Sequence, residues 1–223
     1  MAIALVQSQG HFTPSGTTTA CTITSSGAGN LLVVGTMSNI STGSVTGVTD
    51  NQSNTYTHIQ SATNGNFRSE IWYCANATGG VTSVTATFNA SSNPNVCAVL
   101  EFSGAATSSV VDTSGTITAA ANPILSPALT TTTANCVIVA LSCDQFGWTS
   151  YAAPYTQAPA DPGYTVIDGE VMGYRITSGT VTGDQMSVTL TNSGPYASVS
   201  AAFKPAAGGL TVNSGFFQLM GSI

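Results

Sequence analysis

Charge is what this sequence has least of. Only 5% of its 223 residues are Asp, Glu, Lys or Arg, against roughly 25% in typical soluble domains. The cations are Arg68, Arg175 and Lys204, and nine acidic residues bring the net charge to −6. A groove that neutralises nucleic-acid phosphates needs several Lys or Arg side chains. Direct nucleic-acid binding is therefore excluded, and an anionic membrane surface is disfavoured for the same reason. No run approaches the roughly 20 apolar residues of a membrane span. The opening stretch, MAIALVQSQGHFTPSG, has no basic region and too short an apolar run for a secretory leader. The expectation is a leader already removed, or release from the cell by another route such as lysis.

Metal-binding patterns are missing too. The five cysteines, Cys21, Cys74, Cys97, Cys136 and Cys143, form no C-x-x-C pair, and His11 and His58 lie near none of them in sequence. A zinc site is not expected, and no cofactor is implied. Cys136 and Cys143 share one apparent strand at a separation of about 23 Å, so they cannot bond to each other while it is straight. The odd count leaves at least one thiol unpaired within a monomer, and small buried hydrophobes are the plainest reading of all five.

A helical period of 3.6 residues is absent as well. Instead, short apolar or alternating runs recur about every ten residues, punctuated by Gly, Asn, Ser and Pro. They are Ile3–Gln7, Ala20–Thr24, Leu31–Met37, Thr55–Ile59, Glu70–Cys74, Val81–Phe88, Val96–Phe102, Cys136–Ser142, Val171–Ile176, Met186–Leu190 and Ala197–Phe203. Val, Thr, Ile, Tyr and Phe dominate them. This pattern predicts an all-β fold, an antiparallel β-sandwich or jelly-roll-like architecture of many short strands. Hydrophobic residues make up 42% of the chain, enough for a real core. The polar exterior then falls to Thr, Ser, Asn and Gly, a neutral surface suited to repeated subunits packed closely.

The sequence also echoes itself. "TACTITSSGAGNLLVVGTMS" resembles "SPALTTTTANCVIVALSCD", and "IWYCANATGGVTSVTATFNASSNPNVCAVLEF" resembles "VMGYRITSGTVTGDQMSVTLTNSGPYASVSAAF" about 100 residues on. An internal pseudo-repeat is expected, with halves of about 1–104 and 105–205 in one sandwich domain, 1–205. Gly104–Pro123 reads as the crossover, and neither half alone promises much core. From Ala206 the composition becomes a linker leading to "LTVNSGFFQLMGSI". That uncharged segment, 206–223, is expected to dock on a partner through Leu210, Val212, Phe216, Phe217, Leu219 and Met220.

Candidate chemistry is sparse. "VTDNQSNTYT" (residues 48–57) has one acid, Asp50, where a calcium loop needs several at alternate positions. Asp and Asn fill turns by bonding their own backbone, so the stretch reads as a hairpin turn. His58, in TYTHIQ, is the better of two bases for a Ser-His-Asp triad, but an exposed strand residue is the simpler reading, and no GxSxG elbow exists. Asp161, Asp168, Glu170 and Asp184 offer carboxylates for glycoside hydrolysis, yet lie in and around a Pro/Gly-rich loop region. Trp148, Tyr151, Tyr155 and Tyr164 cluster in the same region and offer a sugar-stacking platform, with aromatic packing over a core as the alternative.

"VTDNQSNTYT", followed by "IWYCANATGGVTSVTATF" and closing in "AVLEFSG", resembles a recurrent β-sandwich module of phage virion and tail proteins and of bacterial surface proteins. That module has a V-x-D-x-x-G-N-T-Y turn, a Y-x-A strand and an E-x-x-G closing strand. The likeness covers roughly residues 30–104, and Ser53 stands where the module prefers Gly. It implies display or adhesion and carries no catalytic residues. The expected function is a non-enzymatic structural protein on the virion surface, a capsid decoration, head-fibre or tail-associated subunit, in an extracellular setting. Its expected partners are sister subunits and a capsid or tail protein, with host-surface glycans as a further candidate. The alternatives are a bacterial extracellular filament or surface adhesin subunit, and a carbohydrate-binding module.

Overall fold

In the computed structural model of the chain, residues 2–39, 43–91, 94–158 and 170–207 are described. Eight strands come from the first half: β1 (Ala4–Thr13), β2 (Thr18–Thr22), β3 (Leu31–Asn39), β4 (Val45–Asp50), β5 (Thr57–Asn64), β6 (Phe67–Cys74), β7 (Ser83–Phe88) and β8 (Asn95–Ser103). Eight more follow: β9 (Val111–Ala121), β10 (Ile124–Leu125), β11 (Val137–Asp144), β12 (Trp148–Tyr151), β13 (Thr156–Gln157), β14 (Glu170–Ile176), β15 (Ser187–Leu190) and β16 (Gly194–Phe203). The described residues contain no helix.

The two sets repeat one topology. The first half forms a five-stranded sheet in the order β1-β8-β3-β6-β5 and a three-stranded sheet β2-β7-β4. The second forms β9-β16-β11-β14-β13 and β10-β15-β12, the same orders with each strand moved on by eight. All pairings are antiparallel. Each half is thus a complete β-sandwich.

Three cores follow from this, and they explain two kinds of strand in the sequence. One fills the first sandwich, with Cys21, Leu32, Val34, Val84, Phe88 and Val99. Another fills the second, with Ile124, Ile138, Ala140, Val188 and Tyr196. The third and largest lies between the two five-stranded sheets, joining Leu31, Val33, Ile71, Leu100 and Phe102 to Val137, Leu141, Met172, Val199 and Phe203. The layers run three, five, five, three strands. A strand of an outer sheet has one wet face, so β7 (SVTATF) alternates strictly between buried and half-buried residues. A central strand of an inner sheet is covered on both faces, so β3 (LLVVGTMSN) and β11 (VIVALSCD) read as nearly unbroken apolar runs. At Gly35 the inner sheets meet so closely that a Cβ would lie 2.9 Å from the Met172 sulfur.

Three expectations need correction. Gly104–Pro123 is not simply a crossover: it holds the eleven-residue strand β9, paired along its length with β16. Its sequence, VDTSGTITAAA, has few large apolar groups because β9 is the sheet's last strand and stays half exposed. The 50–55 turn is not a hairpin, since β4 and β5 belong to different sheets; it is a corner of the sandwich. And each half has a core of its own as well as the shared one.

Candidate functional site

The polar corner after β4 is built on one carboxylate. Asp50 Oδ1 accepts from the backbone N–H groups of Gln52 (2.9 Å) and Asn54 (3.1 Å), and Oδ2 from Asn54 Nδ2 (2.7 Å) and the Tyr56 hydroxyl (2.9 Å). Burial raises the Asp50 pKa, but these four donors outweigh it and hold the carboxyl below its usual range. Asn51 and Asn54 reach onward to the loop before β7: their side-chain oxygens accept from Thr82 N, Ser83 N and Thr78 N. Ser53 takes φ +59°, the conformation for which glycine is the easier residue. The stretch is a staple between two loops.

A second carboxylate staple, Glu101, lies at the same end of this sandwich. It is linked to the Asp50 corner through Gly80, which accepts from Asn51 and Gln52 and donates to Ser26, the neighbour of Gly27. Glu101 is fully buried, with Oε1 accepting from Gly27 N (2.8 Å) and Asn30 Nδ2 (2.6 Å) and Oε2 from Gln7 Nε2 (2.6 Å). Three residues on, Gly104 takes φ +74°, and a Cβ there would lie 2.3 Å from the carbonyl oxygen of Ala2.

The densest chemical cluster lies on the outer face of β5 and β6, where the three-stranded sheet ends at β4 and leaves the five-stranded sheet uncovered. Glu70 Oε1 accepts from Arg68 Nε (2.6 Å) and Val45 N (3.0 Å), and Oε2 sits 3.4 Å from His58 Nε2. Arg68 also donates to Thr63 Oγ1 at 2.9 Å, and the His58 ring lies 4.9 Å from Trp72, tilted. His58 is an exposed strand residue, beside a carboxylate that already holds an arginine and a backbone N–H. Reading the sequence alone missed Glu70 and Arg68; the available signal was FRSEIWYC, where two charges interrupt an otherwise apolar strand at a spacing of two.

In the second half, Asp184 accepts from Arg175 Nη1 and, at 2.7 Å, from the Tyr155 hydroxyl. Asp112 accepts from the hydroxyls of Thr132 (2.6 Å) and Thr133 (2.8 Å) and from Thr132 N (2.7 Å). Asp144 is 1% exposed, and its Oδ1 accepts from Phe146 N at 2.6 Å. Burial pushes its pKa up to about 7, against the smaller opposing effect of that N–H.

Of the aromatic loop candidates, Trp148 and Tyr151 meet edge to face at 5.1 Å and pack partly against the second sandwich's core. The Tyr151 hydroxyl donates to the Met172 carbonyl at 3.1 Å, and Tyr155 is buried in the same core. Tyr164, Asp161 and Asp168 lie outside the described residues, as do Leu210, Val212, Phe216, Phe217, Leu219 and Met220. A cleft of about 450 Å³, lined by Ile3, Asn135, Ile176, Thr177, Pro205 and Ala206, opens where the two chain ends of the described fold come together.

Among the described residues no three His, Cys, Asp or Glu side chains group as metal ligands, and no helix is long and apolar enough to cross a membrane. Comparison with known proteins returns nothing: no family model matches the chain, and neither any curated protein nor any solved structure does.

Proposed function

We propose that the protein is a non-enzymatic structural subunit on the exterior of a virus particle, a capsid decoration, head-fibre or tail-associated protein of a phage. One observation carries the reading. Each of the six acidic side chains described, Asp50, Glu70, Glu101, Asp112, Asp144 and Asp184, accepts hydrogen bonds from its own chain. These carboxylates tie strands and loops together. Arg68 and Arg175 are held by two of them, so the exterior carries few charges, among them Lys204 and the half-buried Asp50 and Asp112, and is mostly Thr, Ser, Asn and Gly. A wall of stacked sheets with a neutral skin suits dense repetition of one subunit, where like charges would oppose each other across each contact. The segment 206–223 supplies the apolar anchor in this reading, docking on sister subunits or on a capsid or tail protein.

A second reading, a bacterial surface or filament subunit joined by strand addition, draws on β9. It is eleven residues long, ends its sheet, and carries neither Pro nor Lys to blunt its edge. Immunogold labelling with antibody to this chain separates the two. Gold at regular positions on purified particles supports the virion reading, and gold on cell-envelope filaments, or antigen only in the soluble fraction, overturns it.

A further inference from the structure

We propose that Cys21 and Cys97 are the two halves of a latent disulfide that bridges the sheets of the first sandwich. The five cysteines are all buried thiols in this structure, but these two are set opposite each other. Thr19, Cys21 and Ile23 point inward from one side, the last of them just past the end of β2. Asn95, Cys97 and Val99 are the residues of β8 whose side chains alternate onto the same core as Cys21. Contacts at both ends fix how the strands run relative to one another. Thr19 Oγ1 donates to the Asn95 carbonyl at 3.3 Å. At the other end, the Gln7 amide donates to both the Thr24 carbonyl (2.7 Å) and Glu101 Oε2 (2.6 Å), placing the continuation of β2 beside the end of β8. Both strands therefore advance in the same direction, and two residues beyond the Thr19–Asn95 contact Cys21 stands level with Cys97.

Distance and electrostatics agree. Some Cα atoms of β2 and β8 come within 8 Å of each other, an upper limit that includes the range of about 4.4–6.8 Å that a disulfide spans. Burial lifts the Cys97 thiol well above its usual pKa, and the nearby Cys21 sulfur lifts it further. The same raised pKa, with both sulfurs 0% exposed, makes the closed native state slow to react, because the thiolate is the nucleophile. The bond forms during folding or through local opening. One thiolate attacks a small-molecule disulfide such as oxidised glutathione, forming a mixed disulfide and releasing one thiol. The second protein thiolate then attacks the mixed disulfide at the protein sulfur and releases the other. Cys74 shares the core but lies on β6, which pairs with β3 on the side away from β8, and Cys143 lies in the central core, so neither competes for this position.

The test is refolding from denaturant in a glutathione redox buffer, followed by thiol counting and peptide mapping without reduction. Cleavage after Arg68 and Arg175 leaves Cys21 alone in the first fragment and the other four cysteines in the second. The expected result is three remaining thiols, the two fragments joined, and fragmentation placing the link at Cys97. In Cys97→Ala the fragments should separate. Because a loop of this size is closed, the oxidised protein should melt about 5 °C or more above its reduced form, with no such difference in Cys97→Ala. Five thiols after oxidative refolding, a link to Cys74, Cys136 or Cys143, or a Cys21–Cys97 bond that leaves the melting temperature unchanged or lower would each overturn the proposal.

Discussion

The hydroxyl of Tyr56 donates to Asp50 at 2.9 Å, and it does so from the residue just before β5. Tyr155 occupies the matching place just before β13, and its hydroxyl donates to Asp184 at 2.7 Å. Both rings are buried, and in both halves burial, with the adjacent carboxylate adding to it, pushes the phenol pKa far up. The tyrosine has kept its position in the repeat while its acceptor has moved. In the first half it bonds the corner immediately before it, and in the second it reaches across to the loop before β15. The repeat thus preserves a need, a buried hydroxyl with an acceptor, more faithfully than it preserves a residue.

That need predicts the cost of Asp50→Ala. The substitution removes the acceptor for two backbone donors, one amide and one buried hydroxyl. Unsatisfied buried donors cost about 1–3 kcal/mol each, less where water reaches them. Equilibrium denaturation should show a loss of about 2–3 kcal/mol. Tyr56→Phe, which also leaves Asp50 one donor short, should cost about 1 kcal/mol. A neutral Asp50→Ala would mean the corner is held by something other than this carboxylate.

Metal removal should change nothing. With four protein donors already on the Asp50 carboxylate, a divalent ion would have to displace them and would find no second carboxylate in the turn. The melting temperature is expected to be the same with EDTA as with calcium in excess. A drop of several degrees in EDTA, restored by calcium, would contradict this.

Asp144 should make stability depend on pH. The unfolded carboxyl titrates near 3.8, whereas burial raises the folded one to about 7. Between those values the native chain holds a proton that the unfolded chain has lost, so stability falls as pH rises through the window and levels off above it. At 1.36 kcal/mol per unit, the full effect is about 4 kcal/mol. Asp144→Asn keeps an oxygen for the Phe146 N–H and cannot ionise. Relative to wild type it should be similar near pH 4 and more stable at pH 8. Urea denaturation of both proteins at the two pH values measures this, and parallel pH profiles would refute it.

How much of this was legible in the sequence follows the same logic of burial. Alternating VTATF and unbroken LLVVG runs marked their strands because each reflects one or two covered faces. The strand β9 escaped notice because an edge of Thr, Ser and Ala buries little and so leaves little pattern. Pairings between distant residues left no trace at all. Glu101 looks like any strand-end acid until Gln7, Gly27 and Asn30 are seen around it. The repeat itself was visible, but its meaning needed the third core. Leu32 lies between Cys74 and Glu101, and Ile138 between Arg175 and Ala202. These cross-strand triplets show that the halves kept their registers while exchanging which position is charged.

Glycine 104 tests the closeness of the chain's two regions. Its φ of +74° disfavours a side chain, and the atom that a Cβ would meet at 2.3 Å is backbone, the carbonyl oxygen of Ala2. Backbone cannot swing aside as a long side chain does, so Gly104→Ala should cost about 2 kcal/mol or more. Gly35→Ala meets closely the flexible end of Met172, with Leu141 Cδ1 at an ordinary 3.5 Å, and should cost less. Thermal melts of the two variants should fall in that order, and the reverse order would argue against the close approach at Ala2.

The shared core makes the strongest demand. The first half, residues 1–107, would keep its own interior of Leu32, Val34, Val84 and Val99. Cut from its partner, it would expose Leu31, Val33, Ile71, Leu100 and Phe102 together on one flat sheet. A contiguous apolar face of that kind drives association in water. Because the second half presents a sheet of the same strand order, the isolated first half has a ready substitute in a second copy of itself. Expressed alone, it should therefore dimerise or precipitate, and Val33→Asp should suppress dimerisation while leaving the outer core folded. In the full chain the same substitution places an unpaired carboxylate in the central core and should destabilise by several kcal/mol, on the order of 3–5. Analytical ultracentrifugation of the isolated half decides the matter. A soluble, folded monomer at micromolar concentration would mean that the central layer is not what holds the two sandwiches together.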